Sequence, residues 1–376
     1  MLSYWEQESL TEYDAIIIGC GIVGLSTAIA LKEQKAKSRV LILERSLLPA
    51  GASSRNAGFA CMGSVTELLD DLDHTTEDEI VDLFVQRKEG LSILRSRLGD
   101  EAIGYAANGS YELINEQEKY ALEKIDYFNR LLLPVNKQPV FRLANDKIDA
   151  LGLDGNYTKA LIENIQEGEL HTGKMVRSLM DHAITLGVEI KTGATVKEYE
   201  DTGSGVTVVV NDNVRTSIGF NGNQLFICTN AFTKELLPNE DVEEGRGQVL
   251  ITKPIDGLKV KGVFHFDKGY YYFREIDNRV MIGGGRNLDF AGETTTDMAT
   301  TQMIQDDLVR KLKEIVLPHN NFEVDMCWSG IMAFGKTKKP IVKAISQNVF
   351  GAFRMGGMGV AIGSLAGKQL ATLASQ

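Results

Sequence analysis

One short stretch near the N-terminus limits what this chain can fold into more than any other: Ala15-Ile-Ile-Ile18 runs straight into Gly19-Cys20-Gly21-Ile22-Val23-Gly24. A brief, continuous apolar run suits a central parallel strand covered on both faces. Ile22 to Gln34 then reads as a helix and Arg39-Val-Leu-Ile-Leu43 as the next buried strand, making one βαβ unit. In that setting the G-x-G-x-x-G spacing has a physical purpose. The first glycine permits a tight turn, the second lets a diphosphate approach the backbone, and the third lets helix and strand pack closely. The helix N-terminus adds free N–H groups and a partial positive charge. Glu44 ends the second strand about twenty residues beyond Gly24, where a carboxylate accepts hydrogen bonds from ribose hydroxyls and repels a 2′-phosphate. Arg45 is a candidate for the adenosine side. The motif predicts a bound dinucleotide and does not separate FAD from NAD.

Two further glycine-rich segments narrow the choice. Ala50-Gly-Ala-Ser-Ser-Arg-Asn-Ala-Gly-Phe59 is a loop of small and polar residues directly after the second strand, where an NAD-binding domain continues into a helix. Its small side chains permit close approach to a flat ring or a phosphate, and Ser53, Ser54 and Asn56 offer donors. Near the C-terminus, Arg354-Met-Gly-Gly-Met-Gly-Val360 opens a helix, so its amides are placed to face the pyrimidine edge of a flavin, where reduction puts negative charge.

The net charge of −11 argues against nucleic acid as a partner, because phosphate binding needs a basic face. The four cysteines, Cys20, Cys61, Cys228 and Cys327, have no CxxC spacing and the five histidines are dispersed, so neither a metal site nor a disulfide framework is expected. No basic n-region leads into an apolar stretch, and no apolar run is long enough to span a bilayer. A cytoplasmic protein is expected.

The remaining periodicity predicts helices over 67–98, 116–132, 172–187 (with Thr172 as its cap), 298–316 and 360–373. Strands are expected at 195–199, 206–210, 224–228, 248–252, 260–266, 270–275, 280–283, 322–332 and 349–353, with turns at 203–205, 221–223 and Asp277-Asn278. The fold class is α/β (α+β overall): a Rossmann-type cofactor domain (1–75, 150–235 and 325–376) interleaved with an antiparallel-sheet substrate domain (76–149 and 236–324).

Taken together, these segments resemble the FAD-dependent oxidoreductase family that includes D-amino acid oxidase, glycine oxidase, sarcosine oxidase and gamma-glutamylputrescine oxidoreductase. The likeness runs nearly end to end: Gly19–Gly24 with Glu44, Ser53–Gly58, Glu169–Met175, Thr195-Val196, Cys228-Thr-Asn-Ala231, Arg246–Leu250, Gly269–Arg274, Gly283–Gly285, Trp328-Ser-Gly330 and Met355–Gly359. The Trp5-containing N-terminus and Ser54-Arg55-Asn56 are worded most like the gamma-glutamylputrescine oxidoreductase branch. The resemblance implies FAD, expected to be non-covalent, with Gly19, Gly21, Ile22, Val23, Gly24, Glu44, Arg45, Ser53, Ser54, Arg55, Asn56, Ala57, Gly58, Val196, Thr229, Asn230 and the run Met355, Gly356, Gly357, Met358, Gly359, Val360 as the expected binding residues. In it, Val196 meets the adenine through its backbone and Met355–Val360 the pyrimidine edge of the flavin.

There are departures. The arginine that clamps a substrate carboxylate in glycine oxidase-like members is Met332 here, and the lysine that sarcosine oxidases place over the flavin aligns with Met281. Cys327 falls where some relatives attach the flavin covalently; it is read here as a buried small residue. For the substrate, Tyr270, Tyr272 and Arg274 share one face of a strand and would suit an apolar body and a carboxylate. His171 and His265 are candidates by chemistry alone, and a lysine among Lys336, Lys338 and Lys339 is a candidate stand-in for the missing arginine. The expected reaction is oxidation of a small amine or amino-acid-like substrate by hydride transfer to flavin N5, with oxygen or an electron carrier as acceptor. The alternatives are a flavin dehydrogenase of a 2-hydroxy acid that passes electrons to a quinone or carrier protein, and a non-catalytic flavin-binding subunit.

Overall fold

The computed structural model describes residues 1–376. The opening strand, Glu12–Ile18, lies between the strands Val40–Leu43 and Thr216–Ile227 and is parallel to both. Its second half, Ala15–Ile18, is fully covered because both its faces are packed. Ala15 and Ile17 face the helices Ile22–Gln34, Thr172–Thr185 and Gly359–Leu373. Ile16 and Ile18 face a layer that includes Val206, Val208, Phe220, Ile331 and Ala333. The sheet runs in the order 341–344, 349–353, 216–227, 12–18, 40–43 and 188–191, and the antiparallel strands Val196–Asp201 and Val206–Asp212 extend from Thr216–Ile227.

A second eight-stranded sheet runs 324–334, 243–252, 279–284, 271–276, 263–266, 110–114, 160–164 and 141–143. Its pairings are antiparallel except for 263–266 with 110–114. Phe264, Phe266, Tyr271 and Phe273 pack beneath it against Ile304, Leu308 and Leu312 of the helix Gln302–Lys311 and its π-helical continuation Leu312–Val316. The hairpin turn expected at Asp277-Asn278 has both residues at positive φ, 52° and 59°, as a type I′ turn requires. No helix is long and apolar enough to cross a membrane.

Several expectations shift. The 67–98 helix is two helices, Val65–Leu72 and Glu77–Leu98, each opened by its own cap, Ser64 and Thr76. The second packs on the C-terminal helix so closely that a Cβ at Gly90 would stand 2.2 Å from the Ala361 carbonyl. The cap of Thr172–Thr185 is His171, not Thr172: its Nδ1 accepts from the Lys174 amide at 3.2 Å. Asn221–Asn223 lies inside the long strand Thr216–Ile227 and is not a turn. Ala160–Asn164 and Val324–Phe334, expected in the cofactor lobe, pair within the second sheet instead. Ser110–Ile114, Phe141–Leu143 and Ile341–Ala344 had no period-two signal strong enough to predict them.

Candidate cofactor and substrate site

A cavity of about 660 Å³ opens between the two large sheets. One end is built by the opening strand and helix. Gly19 has φ +107° and sits against the Cys228 carbonyl, and a Cβ on Gly24 would lie 2.0 Å from the Gly19 carbonyl, so the third glycine serves helix–strand packing. Ser53 Oγ accepts from the Ile22 amide at 3.0 Å, while the amides of Gly21, Val23 and Gly24 have no acceptor within the protein. These free donors are what an oxygen-rich diphosphate requires. Glu44 is buried beside them, accepting from the Cys20 and Ser46 amides at 3.0 and 3.1 Å while lining the cavity. Arg45 lies over the Phe232 ring at 3.5 Å, and Val196 lines the same end.

The loop after the second strand is a one-turn helix, Ala52–Arg55, followed by an extended stretch. Ser53, Arg55, Asn56 and Ala57 line the cavity; Ser54 and Gly58 do not. The Ser54 hydroxyl donates to the Pro49 carbonyl, so it offers the cavity nothing. Gly58 has φ +77°, and a Cβ there would meet the Leu170 carbonyl at 2.2 Å. Asn56 Oδ1 accepts from the Gly58 amide (2.8 Å) and the Thr172 hydroxyl (2.9 Å), which fixes the loop. Arg55 donates to the Ser329 carbonyl at 2.8 Å, and its own carbonyl accepts from Trp328 Nε1 at 3.0 Å.

The third wall is Met355–Val360. Asn230, at φ 47°, places Oδ1 to accept from the Arg354 and Met355 amides at 3.1 and 3.2 Å, so this residue shapes the turn from behind. Thr229 lines the cavity beside it. A Cβ built on Gly356 or Gly357 would meet nothing within 4 Å, and the amides of Gly357, Gly359 and Val360 have no protein acceptor. Open space in front of two cavity-lining glycines, with free helix N-terminal donors, fits a planar ring system that carries carbonyl oxygens.

Beyond these segments the cavity continues between aromatic walls. Tyr272 lies across Gly283 of the neighbouring strand, where any Cβ would collide with its ring, and Phe59 meets Tyr272 edge-on at 5.4 Å. Tyr270 precedes the strand Tyr271–Ile276 and is 41% exposed at the mouth, so it and Tyr272 line one cavity but do not share a strand face.

Arg274, expected to meet the substrate, does not line the cavity. It is buried, its Nη1 donates to the carbonyls of Ala57, Gly58 and Leu170, and it pairs with Glu169 at 3.2 Å. It holds the end of the Ala52–Gly58 loop from behind. His171 is occupied as a helix cap. Met281 packs with Ala57 and Ile251 away from the cavity. Lys338 is paired with Asp71 and Lys339 with Glu79 at 3.0 Å. Cys327, expected to be buried, is exposed on Val324–Phe334 and outside the cavity lining.

Sequence reasoning missed Phe59, Arg286, Phe290 and Phe334, which line the substrate end. They come from three separate segments, and only Arg286 and Phe290 are close in sequence. It also missed a buried group. Cys61, Glu167 and His265 bring their potential ligand atoms within 4.8 Å of one another, although no sequence spacing suggested it. Glu167 accepts from the Met62 and Gly63 amides, and its carboxyl is raised chiefly by burial. Burial also pushes the Cys61 thiol up, so it stays protonated beside that carboxyl.

A parallel strand ending in a glycine turn with free amides, a buried carboxylate beside that turn and a second glycine-lined wall fit a dinucleotide-binding oxidoreductase of the flavin type. The chain belongs to the FAD dependent oxidoreductase (DAO) family, whose model matches residues 14–373, and it is an FAD-dependent enzyme. It is 25% identical to the probable oxidoreductase OrdL of Haemophilus influenzae, over 95% of this chain and 82% of that one. It is 24% identical to the gamma-glutamylputrescine oxidoreductase of Escherichia coli, over 97% and 84%. In fold it is similar to L-proline dehydrogenase from P. horikoshii (TM-score 0.77, 16% identity, 96% and 93% covered) and to glycine oxidase from Geobacillus kaustophilus (TM-score 0.77, 17% identity, 97% and 95% covered).

Proposed function

We propose that this enzyme oxidises a small amine or amino-acid-like substrate. The carrying observation is the continuity of one cavity from the free amides of Gly21 and Val23, past Ser53, Arg55, Asn56, Ala57 and Met355–Val360, to an aromatic chamber of Phe59, Tyr270, Tyr272 and Phe290. The names of the similar proteins, a gamma-glutamylputrescine oxidoreductase and a glycine oxidase among them, support the substrate class. FAD, when bound, supplies a two-electron acceptor that takes hydride at N5 from the carbon bearing a neutral amine.

The chain's own part is holding and desolvating. The Gly21 and Val23 amides and Glu44 would hold the diphosphate and ribose, and the Gly357, Gly359 and Val360 amides would stabilise negative charge at the ring's far edge by up to ~2 kcal/mol. Phe59 and Tyr272 exclude water and orient an apolar substrate body. No dedicated base is required for transfer from a neutral amine. Oxygen or an electron carrier takes the electrons onward, and the four free thiols suit a reducing cytoplasm.

The test is anaerobic loss of the oxidised-flavin absorbance against a panel of amines, amino acids and 2-hydroxy acids. Reduction by members of the first two groups is expected. Reduction by 2-hydroxy acids alone, or by nothing in the panel, would overturn the proposal; aerobic turnover then separates oxygen from a carrier.

A further inference from the structure

We infer that Arg286 is the binding site for a carboxylate on the substrate; this deepens the proposed function and rests on the cavity taking an amine-bearing molecule. Each of the buried arginines around the site has a side-chain hydrogen bond or ion pair within the protein, although Arg87 Nε, like Arg286 Nε, has no partner of its own. Arg246 forms a two-pronged pair with Glu293, at 2.9 and 2.7 Å. Arg274 pairs with Glu169, Arg354 with Asp241, and Arg87 donates to the Met62 carbonyl among the carboxylates of Glu67, Asp71 and Glu167. Arg286 lines the cavity, yet no hydrogen bond or ion pair engages its guanidinium; its Nε is walled in by the protein without a partner, which leaves the two terminal nitrogens for the cavity.

The surroundings account for that isolation. The Arg286 guanidinium carbon lies over the Phe334 ring at 4.5 Å and the Phe290 ring at 5.1 Å. Rings hold a cation by their faces but leave the planar N–H edge unsatisfied. Room for this arrangement comes from Gly245, where a Cβ would stand 2.4 Å from Phe334 and 3.0 Å from Arg286 Nε. The nearest acids do not fill the gap. Glu293 is held by Arg246 and Gln248, and Glu243 makes only a 3.5 Å contact with Thr294. Burial pulls the Arg286 guanidinium down, with Glu243, Glu293 and Tyr270 opposing it, but an arginine stays charged in any protein setting. A partly buried cation without a partner is costly, and a planar two-oxygen anion matches its fork. Of the two lysines that line the cavity, Lys338 is paired with Asp71, while Lys268 has no side-chain partner but presents a single ammonium, not a planar fork. The substrate is therefore an amine that also carries a carboxylate, its apolar body between Phe59, Tyr272 and Phe290.

The FAD-loaded enzyme is titrated by calorimetry with benzoate and with benzamide, which share a shape and differ in charge. Benzoate is expected to bind at least tenfold more tightly. Arg286→Met should weaken benzoate by roughly 10- to 100-fold and leave benzamide and FAD content unchanged. Arg286→Lys should fall between, because it keeps the charge and loses the fork. The inference is overturned if wild type does not prefer benzoate, if benzoate fails to bind up to its solubility limit, or if the methionine variant binds it as wild type does. Should that variant lose FAD, the lysine variant decides alone: unchanged benzoate affinity sinks the idea. Amine oxidation is judged separately, by flavin reduction. A carboxylate preference in a protein that no amine reduces would uphold this site and reject the proposed reaction.

Discussion

Gly24 and Gly357 carry the same side chain for opposite reasons. A Cβ at Gly24 would stand 2.0 Å from a backbone carbonyl, whereas at Gly357 it would point into open space in the cavity. Gly24→Ala should therefore cost at least ~2 kcal/mol of stability, while Gly357→Ala should leave stability within ~0.5 kcal/mol and weaken FAD binding. Thermal melts and flavin content separate the two. Arg274→Met would strand Glu169 and three carbonyls, so a loss of roughly 3–5 kcal/mol is expected in urea unfolding. A variant as stable as wild type but with a raised KM would instead restore Arg274 as a substrate contact. Because Cys327 is exposed and outside the cavity, acid precipitation should leave a colourless pellet and release the flavin. A yellow pellet would mean a covalent link.

Among the elements, the segment 59–67 matters most beyond the Rossmann unit, because it carries Phe59 into the cavity and leads into a helix on its wall. Two buried carboxylates from distant segments secure it, one on the second sheet and one just before the short strand Gly168–Glu169. Glu112 accepts from the Val65 and Thr66 amides at 3.0 and 3.2 Å, and Glu167 from those of Met62 and Gly63. Burial pushes the Glu112 carboxyl up from 4.5 to about 7. Between those values the folded chain keeps a proton that the unfolded chain has lost. Its contribution is then complete below pH 4.5 and fades as pH rises through 7. Glu112→Gln should remove this dependence, so the stability gap between wild type and variant should shift by on the order of 3 kcal/mol between pH 4 and 8. Parallel stability curves would show that Glu112 ionises normally. None of this was visible in sequence, because Glu112 lies on a strand with no period-two signal and its partners are backbone amides from another segment.

At the scale of the whole molecule, both large sheets contribute to one cavity, so FAD should tie the lobes together. A hundredfold excess of FAD over its Kd is expected to stabilise the chain by about 2.7 kcal/mol. The melting temperature should then rise by a few degrees over the FAD-stripped protein in a single transition; an unchanged melt would mean that the cavity does not hold the cofactor. The βαβ unit, the hairpin at Asp277-Asn278 and the closing helix were legible in the sequence because period, glycine spacing and turn chemistry are local. The same locality made the glycine-rich segments that line the cavity readable, because each is a continuous run of residues. Distant pairing decided the rest. It placed Ala160–Asn164 and Val324–Phe334 in the second sheet, turned Arg274 away from the cavity, and left Arg286 within it without a carboxylate. A side chain's partner is fixed by which strands become neighbours, and that is settled by burial across the whole chain.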